Sequence, residues 1–311
     1  MELRIDRLTK QYGKKIAVEH LSVTLHSGVY GLLGANGAGK TTLMRMIADL
    51  LQPTAGDITL DGVSIYEMGE AYRDLLGYLP QNFGFYPDFR AEDFMHYLAA
   101  VKGIEKQAAK AKTKELLQLV GLAEHAKQKV KTFSGGMVRR LGIAQALLND
   151  PMILILDEPT AGLDPKERIR FRNLISEISS ERIVILSTHI VSDVESIANE
   201  ILLMKDGQLI KKGSIAEIAA LAEGKVWNVR VPQEYAHSFK DKGIIANIRL
   251  YGGVTELRIV SECSPIDGMF DGMDTVLLEK EQIKALMIPP TLEDAYLYCF
   301  GEEISVGNME V

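Results

Sequence analysis

Apolar and polar positions change period several times along this 311-residue chain. Over residues 2–26, short apolar stretches alternate with turns, among them Tyr12-Gly13-Lys14-Lys15, which predicts an antiparallel β region. Residues 29–33 are a short continuous apolar run, the pattern of a buried strand. It feeds a glycine-rich turn and helical spacing over 41–51. Residues 57–60 predict another strand, closed by Asp61-Gly62. From 92 to about 128 the chain is rich in Ala, Leu, Lys and Glu and reads as helical, part of an inserted helical subdomain over about 84–150. Signals then alternate: helix 136–148, strand 152–156, helix 165–179, strand 183–187, helix 192–198. Alternation of this kind predicts a parallel sheet with helices on its faces. Asp206-Gly207 marks a hairpin, and Ser214 with Glu217 has the spacing of a capping box opening one more helix.

Beyond Gly224 the texture changes. Residues 227–231, 248–251, 255–260 and 276–278 predict separate strands, Gly252-Gly253 a hairpin turn, and 291–300 a closing helix. The length suits two domains. The boundaries expected are 1–220 for the main domain and 221–311 for a small C-terminal α/β domain, accessory or regulatory.

Bulk chemistry narrows the classes. A net charge of -7 disfavours a phosphate backbone as partner, so no nucleic acid is expected. The two cysteines, Cys263 and Cys299, form no CxxC pair or disulfide framework, which fits a reducing compartment. Charged residues occupy positions 2, 4, 6 and 7, where a signal peptide needs an apolar core. Apolar runs reach about five residues, against the ~20 that cross a bilayer. The expectation is a cytoplasmic protein whose membrane association comes through a partner.

Gly34-Ala-Asn36-Gly37-Ala38-Gly39-Lys40-Thr41 matches G-x-x-x-x-G-K-[ST], with a strand before it and a helix after. Glycines let the backbone wrap closely around a triphosphate, and the helix N-terminus adds partial positive charge. Lys40 is expected to reach the β- and γ-phosphates, the Thr41 hydroxyl to ligate Mg²⁺, and Thr42 to touch the α-phosphate. Downstream, the apolar strand 152–156 runs into Asp157-Glu158-Pro159. Asp157 can hold Mg²⁺ through water. Glu158 is expected to point elsewhere, because side chains alternate along a strand, and is the candidate to polarise the attacking water.

With these residues in view, the chain resembles the ATP-binding subunit of an ATP-binding cassette (ABC) transporter over roughly residues 2–220. The distinguishing piece is Phe133-Ser134-Gly135-Gly136-Met137, similar to the ABC signature; Phe133 and Met137 stand where the family usually has Leu and Gln. This variant, with Arg139-Arg140 after it, resembles that of drug- and antibiotic-export ATPases. The resemblance implies a P-loop NTPase core with an antiparallel β subdomain and an inserted helical subdomain. It also implies ATP and Mg²⁺ as ligands and pairing of two subunits head to tail, so that Ser134, Gly135 and Gly136 close over the partner's nucleotide. Taken alone, Ser134 is equally a helix N-cap. Tyr12 resembles the aromatic that stacks on adenine, or else is a turn residue. Gln81 resembles the Q-loop glutamine at Mg²⁺ or water, Asp164 the D-loop aspartate or a helix cap, and His189 the switch histidine at the γ-phosphate.

The function implied is ATP hydrolysis with Glu158, His189 and Gln81 as the catalytic set. Its partners would be a second copy or a homologous ATPase subunit, and separate multi-span permease subunits that hold it on the inner face of the cell membrane. The aromatic run over 83–89 serves either to grip a partner helix or to pack locally. Export is favoured by the signature variant and by the 289–296 segment. An importer subunit and a soluble ABC ATPase acting on ribosomes or DNA are the alternatives.

Overall fold

The computed structural model describes residues 1–188, 190–267 and 283–305, and the chain divides into two compact units, Met1–Lys212 and Gly213–Val311. In the first unit β1 (Leu3–Tyr12) and β2 (Lys15–Leu25) form a long antiparallel hairpin turning at Gly13. With β4 (Ala55–Leu60) and β5 (Val63–Ser64) they make a sheet of order β2-β1-β4-β5. Leu3, Ile5 and Leu8 of β1 and Val18, Leu21, Val23 and Leu25 of β2 are buried, while Arg4, Arg7, His20 and Ser22 between them face solvent, as expected of a sheet covered on one side.

The second sheet has the order β10-β9-β3-β8-β7-β6. Its strands β3 (Gly28–Leu33), β6 (Leu76–Leu79), β7 (Ile153–Asp157), β8 (Ile183–Ser187) and β9 (Glu200–Lys205) pair in parallel. β10 (Gln208–Gly213) follows through Asp206-Gly207, both at positive φ as a two-residue hairpin turn requires. All five residues of β7 and of β8 are buried, which is why these strands read as unbroken apolar runs rather than alternating ones.

Helix α1 (Lys40–Ile47) lies in one core with residues of both sheets, through Leu43, Met44, Met46 and Ile47. It is shorter than its expected span to 51, because Asp49 stands at φ +53, outside helical backbone. Helices α2 (Ile65–Met68) and α3 (Glu70–Asp74) lead to β6. The stretch read as one helical run over 92–128 is two helices, α4 (Ala91–Val101) and α5 (Lys106–Leu119), and a 3₁₀ turn at Ala123–His125. The break falls where Gly103 takes φ +75 and Glu105 caps α5, accepting from the N–H groups of Gln107 and Ala108. Helices α6 (Gly135–Ala146), α7 (Pro165–Ile178) and α8 (Val191–Glu195) complete the unit.

In the second unit, α9 (Ile215–Ala219) opens with the expected capping box between Ser214 and Glu217. β11 (Val226–Pro232), β12 (Ile244–Tyr251), β13 (Val254–Val260) and β14 (Lys284–Met287) form an antiparallel sheet of order β12-β13-β11-β14. Val229, Val231, Leu257, Ile259 and Phe239 fill the core on one face. Gly252-Gly253 turns β12 into β13 with both residues at positive φ. Helix α10 (Leu292–Ser305) closes the unit. The strand expected over 276–278 lies outside the described residues.

Candidate functional site

The parallel sheet delivers its loops to one place. β3 ends at Leu33, the glycine loop follows, and α1 begins at Lys40. A Cβ on Gly34 would lie 2.4 Å from the Met204 carbonyl oxygen, and one on Gly39 2.2 Å from that of Ala17. Gly39 also takes φ +98. The loop can therefore wrap only with glycine at both positions. The Lys40 ammonium folds over the loop and donates to the carbonyls of Gly34 (2.6 Å) and Ala35 (2.9 Å). Burial pushes its pKa down, against the opposing pull of Glu158 and Asp157.

A cavity of about 290 Å³ opens at this loop. Among its lining residues are Tyr12, Asn36, Gly37, Gly39, Lys40, Thr41, Thr42, Gln81, Asp157 and Glu158. Segments from residue 12 to residue 158 thus converge on one concave space. Lys15 and Ala17 also line it; neither was foreseen, although Lys15 sits in the basic turn that follows Tyr12. The Tyr12 ring is 48% exposed, with Lys10 Nζ 5.4 Å from its centroid, so a flat face is open to stacking.

Asp157, 2% exposed, accepts from the Ser187 hydroxyl at 2.7 Å. Glu158 corrects the alternation argument. β7 ends at Asp157, and Glu158 leaves it at φ +50, in the left-handed region, so the two successive carboxylates line the same cavity instead of opposite faces. Such a conformation costs a non-glycine residue about 1–3 kcal/mol and persists where surroundings enforce it. Here the Glu158 N–H donates to the Ser187 carbonyl (3.0 Å) and hydroxyl (3.2 Å), while its C=O accepts from Arg139. Ser187 and Arg139 hold these two residues in place, contacts that sequence reasoning passed over because the partners lie 18 to 59 positions away.

The other expected site residues lie elsewhere. Ser134 caps α6, its hydroxyl accepting from the Met137 N–H at 3.2 Å, and Asp164 caps α7, accepting from the Glu167 N–H at 2.8 Å. Ser134, Gly135, Gly136 and Asp164 do not line the cavity. A Cβ at Gly135 would meet nothing within 4 Å, so α6 presents an open helix N-terminus with a hydroxyl. Gly34 and Ala38 shape the loop from within, both buried. His189 lies outside the described residues.

The donor set fits a magnesium nucleotide. Glycine N–H groups, a helix N-terminus and an ammonium suit phosphates, and the hydroxyl, amide and carboxylate oxygens of Thr41, Gln81 and Asp157 suit a small hard cation. Among the described residues, no helix is long and apolar enough to cross a membrane.

Comparison with known proteins agrees with this geometry. The ABC transporter family matches residues 18–161. An ABC transporter ATP-binding protein of Bacillus subtilis, YxlF, is 36% identical over 79% of this chain and 82% of its own length. The bacitracin transport ATP-binding protein BcrA of Bacillus licheniformis is 39% identical, covering 66% of this chain and 67% of its own. The Nod factor export ATP-binding protein I of Burkholderia lata is 33% identical over 95% of each chain. Among solved structures, an ATP-binding subunit of an ABC transporter superposes with a TM-score of 0.64 at 26% identity, covering 70% of this chain and 92% of that one.

Proposed function

This chain belongs to the ABC transporter ATP-binding proteins, and on that premise we propose that it is the ATP-hydrolysing subunit of an exporter, working as a head-to-tail pair coupled to separate membrane-spanning subunits. The observation that carries the reading is the separation of two anion-binding ends within one chain. The glycine loop faces the cavity with Lys40 and Thr41, while the N-terminus of α6, with Ser134, does not line it. A single triphosphate engages both ends only when the second comes from another copy or a homologous subunit.

In this reading Tyr12 stacks on the adenine, the loop from Gly34 to Gly39 cradles the phosphates, and Lys40 sits at the outer two. Thr41, Gln81 and Asp157 would hold Mg²⁺, which when bound neutralises charge on the phosphates. Glu158 orients the attacking water, His189 steadies the γ-phosphate, and positioning with charge stabilisation does most of the catalysis. Asp164 couples the paired sites. Residues 221–311 form an accessory domain.

Export is favoured by relatives whose names place them in Nod factor export and bacitracin transport. The permease contact is assigned to the aromatic cluster beside Gln81. Tyr86, Phe89 and Tyr97 meet with ring centroids 5.0 to 6.0 Å apart and each stays at least 36% exposed. Tyr86 and Phe89 of the 83–89 run thus pack against Tyr97 of α4 and still leave ring surface exposed, which supports a grip on a permease helix. The chain then sits on the inner membrane face through its permease.

The test is Glu158→Gln. Loss of a positioned base typically lowers turnover ~10²–10⁴-fold, while ATP should still draw the variant into a dimer on size-exclusion chromatography. A variant that binds ATP yet stays monomeric at every nucleotide concentration counts against the pairing.

A further inference from the structure

Arg139 lies one turn into α6 and is only 8% exposed. Its guanidinium donates to five main-chain carbonyls from two segments. Pro80 (3.1 Å) and Gln81 (3.0 Å) belong to the loop after β6; Asp157, Glu158 and Pro159 (3.2 Å) belong to the end of β7. Each of these acceptors is a neutral peptide oxygen, so the arrangement fixes backbone rather than pairing with a carboxylate. Burying a charge for this purpose is costly where an apolar side chain could fill the space; burial pushes the guanidinium pKa down, and the nearby charges of Asp157 and Glu158 only partly offset it. A planar fork of five donors holds several acceptors in one fixed relation, which a lysine cannot do.

Two of the gripped peptides are those of the residues assigned to water and metal, Glu158 and Gln81. The Glu158 peptide is the one in the left-handed region, held on its N–H side by Ser187 and on its C=O side by Arg139. A second tie runs beside it, since Gln145 of α6 donates to the Tyr78 carbonyl of β6 at 2.9 Å.

We propose that Arg139 is a positioning residue for ATP hydrolysis, fastening the helix that begins at Ser134 to the peptides of Glu158 and Gln81. Seating Ser134 on a partner's triphosphate then aligns the water-orienting carboxylate of the same chain. This deepens the ATPase reading and rests on it.

The experiment uses the full chain with Arg139→Ala, Arg139→Gln and Arg139→Lys. Nucleotide-competent sites are counted by calorimetric titration with ATP, and steady-state kcat is expressed per competent site. A misplacement of about 1 Å can cost ~10²-fold in rate. The expected result is kcat per site lower by ~10–100-fold for Ala and Gln, less for Lys, with KM for ATP within ~3-fold of wild type. A merely structural role would reduce the number of competent sites and leave kcat per site unchanged. Kcat per site within twofold of wild type in all three variants overturns the proposal, as does an affinity loss that matches the kcat loss. A wild-type chain that neither binds nor hydrolyses ATP would instead refute the ATPase reading beneath it. The Gln and Lys variants keep the test open should the Ala variant fold poorly.

Discussion

Replacing Gly39 by alanine should do far more damage than replacing Gly37, although both stand at strongly positive φ, +98 and +89. Each alanine carries a conformational cost of about 1–2 kcal/mol. At Gly37 the new methyl meets nothing within 4 Å, so that cost is the whole effect. At Gly39 it would lie 2.2 Å from the Ala17 carbonyl oxygen, about 1 Å inside an ordinary carbon–oxygen contact. The obstacle is backbone in β2 and cannot swing aside, so the loop or the strand must move. Strain and displacement together should cost about 3–4 kcal/mol. At roughly 2–4 °C per kcal/mol for a unit of this size, Gly37→Ala should melt about 2–8 °C lower and Gly39→Ala about 6–16 °C lower. A loop moved by about 1 Å should also lower turnover ~10²-fold. Thermal melts with and without ATP, with binding of a fluorescent ATP analogue, read both effects. Equal melting points and equal nucleotide affinities for the two variants would refute the argument.

Gly135→Asp separates pairing from folding: at an exposed first position of α6 an acidic residue favours the helix N-terminus, so the melt should hold or rise. The same carboxylate should repel a partner's phosphate, and an ATP-dependent dimer of this variant would contradict the assignment of Ser134 to the nucleotide. Tyr72→Phe removes a buried hydroxyl that donates to the Ile47 carbonyl at 2.6 Å, and denaturant unfolding should show a loss of about 1–2 kcal/mol. In the second unit, burial would raise the Asp294 carboxyl, but Arg258 and both donors of Thr291 outweigh it and hold the pKa below the ordinary range. Its contribution is therefore complete above the unfolded value of about 4 and disappears as pH falls through the lower folded value. Asp294→Asn should lower stability at neutral pH and flatten acid unfolding in that window; a pH profile identical to wild type would contradict the pairing.

What sequence reasoning reached, and where it stopped, follows from the range of each interaction. β7 and β8 were legible because strands buried on both faces need only apolar residues, and the glycine loop because its cradle is contiguous from Gly34 to Thr41. β6 (Leu76–Leu79) and β14 (Lys284–Met287) were not, since four residues carry too little pattern to separate from loop. The helical run over 92–128 concealed its break because a helix-rich composition says nothing of Gly103 taking a positive φ. Glu158 was found by its place beside Asp157 but aimed wrongly. Alternation holds only while backbone stays extended, and the strand ends one residue earlier. Ser187 and Arg139 stayed hidden because what they hold, the Asp157 carboxylate and the backbone of other segments, lies far away in sequence.

The glycines differ in what a side chain would meet. Gly34 and Gly39 are crowded by their own fold, and the Cβ distances explain them completely. Gly135 is neither crowded nor at positive φ, and glycine weakens a helix start that Ser134 has already capped. Its own fold leaves room for a side chain there, which is consistent with the proposed approach of a partner's phosphate. Arg139 follows Gly135 by four positions and shares its face of α6. On the positioning role proposed for Arg139, a phosphate seated at the open end of the helix loads the turn that carries the guanidinium. Its five acceptors come from two loops whose spacing the fork fixes, and a tilt of α6 cannot be absorbed at one contact alone. The Glu158 peptide, already held in a left-handed conformation between Ser187 and Arg139, has to follow.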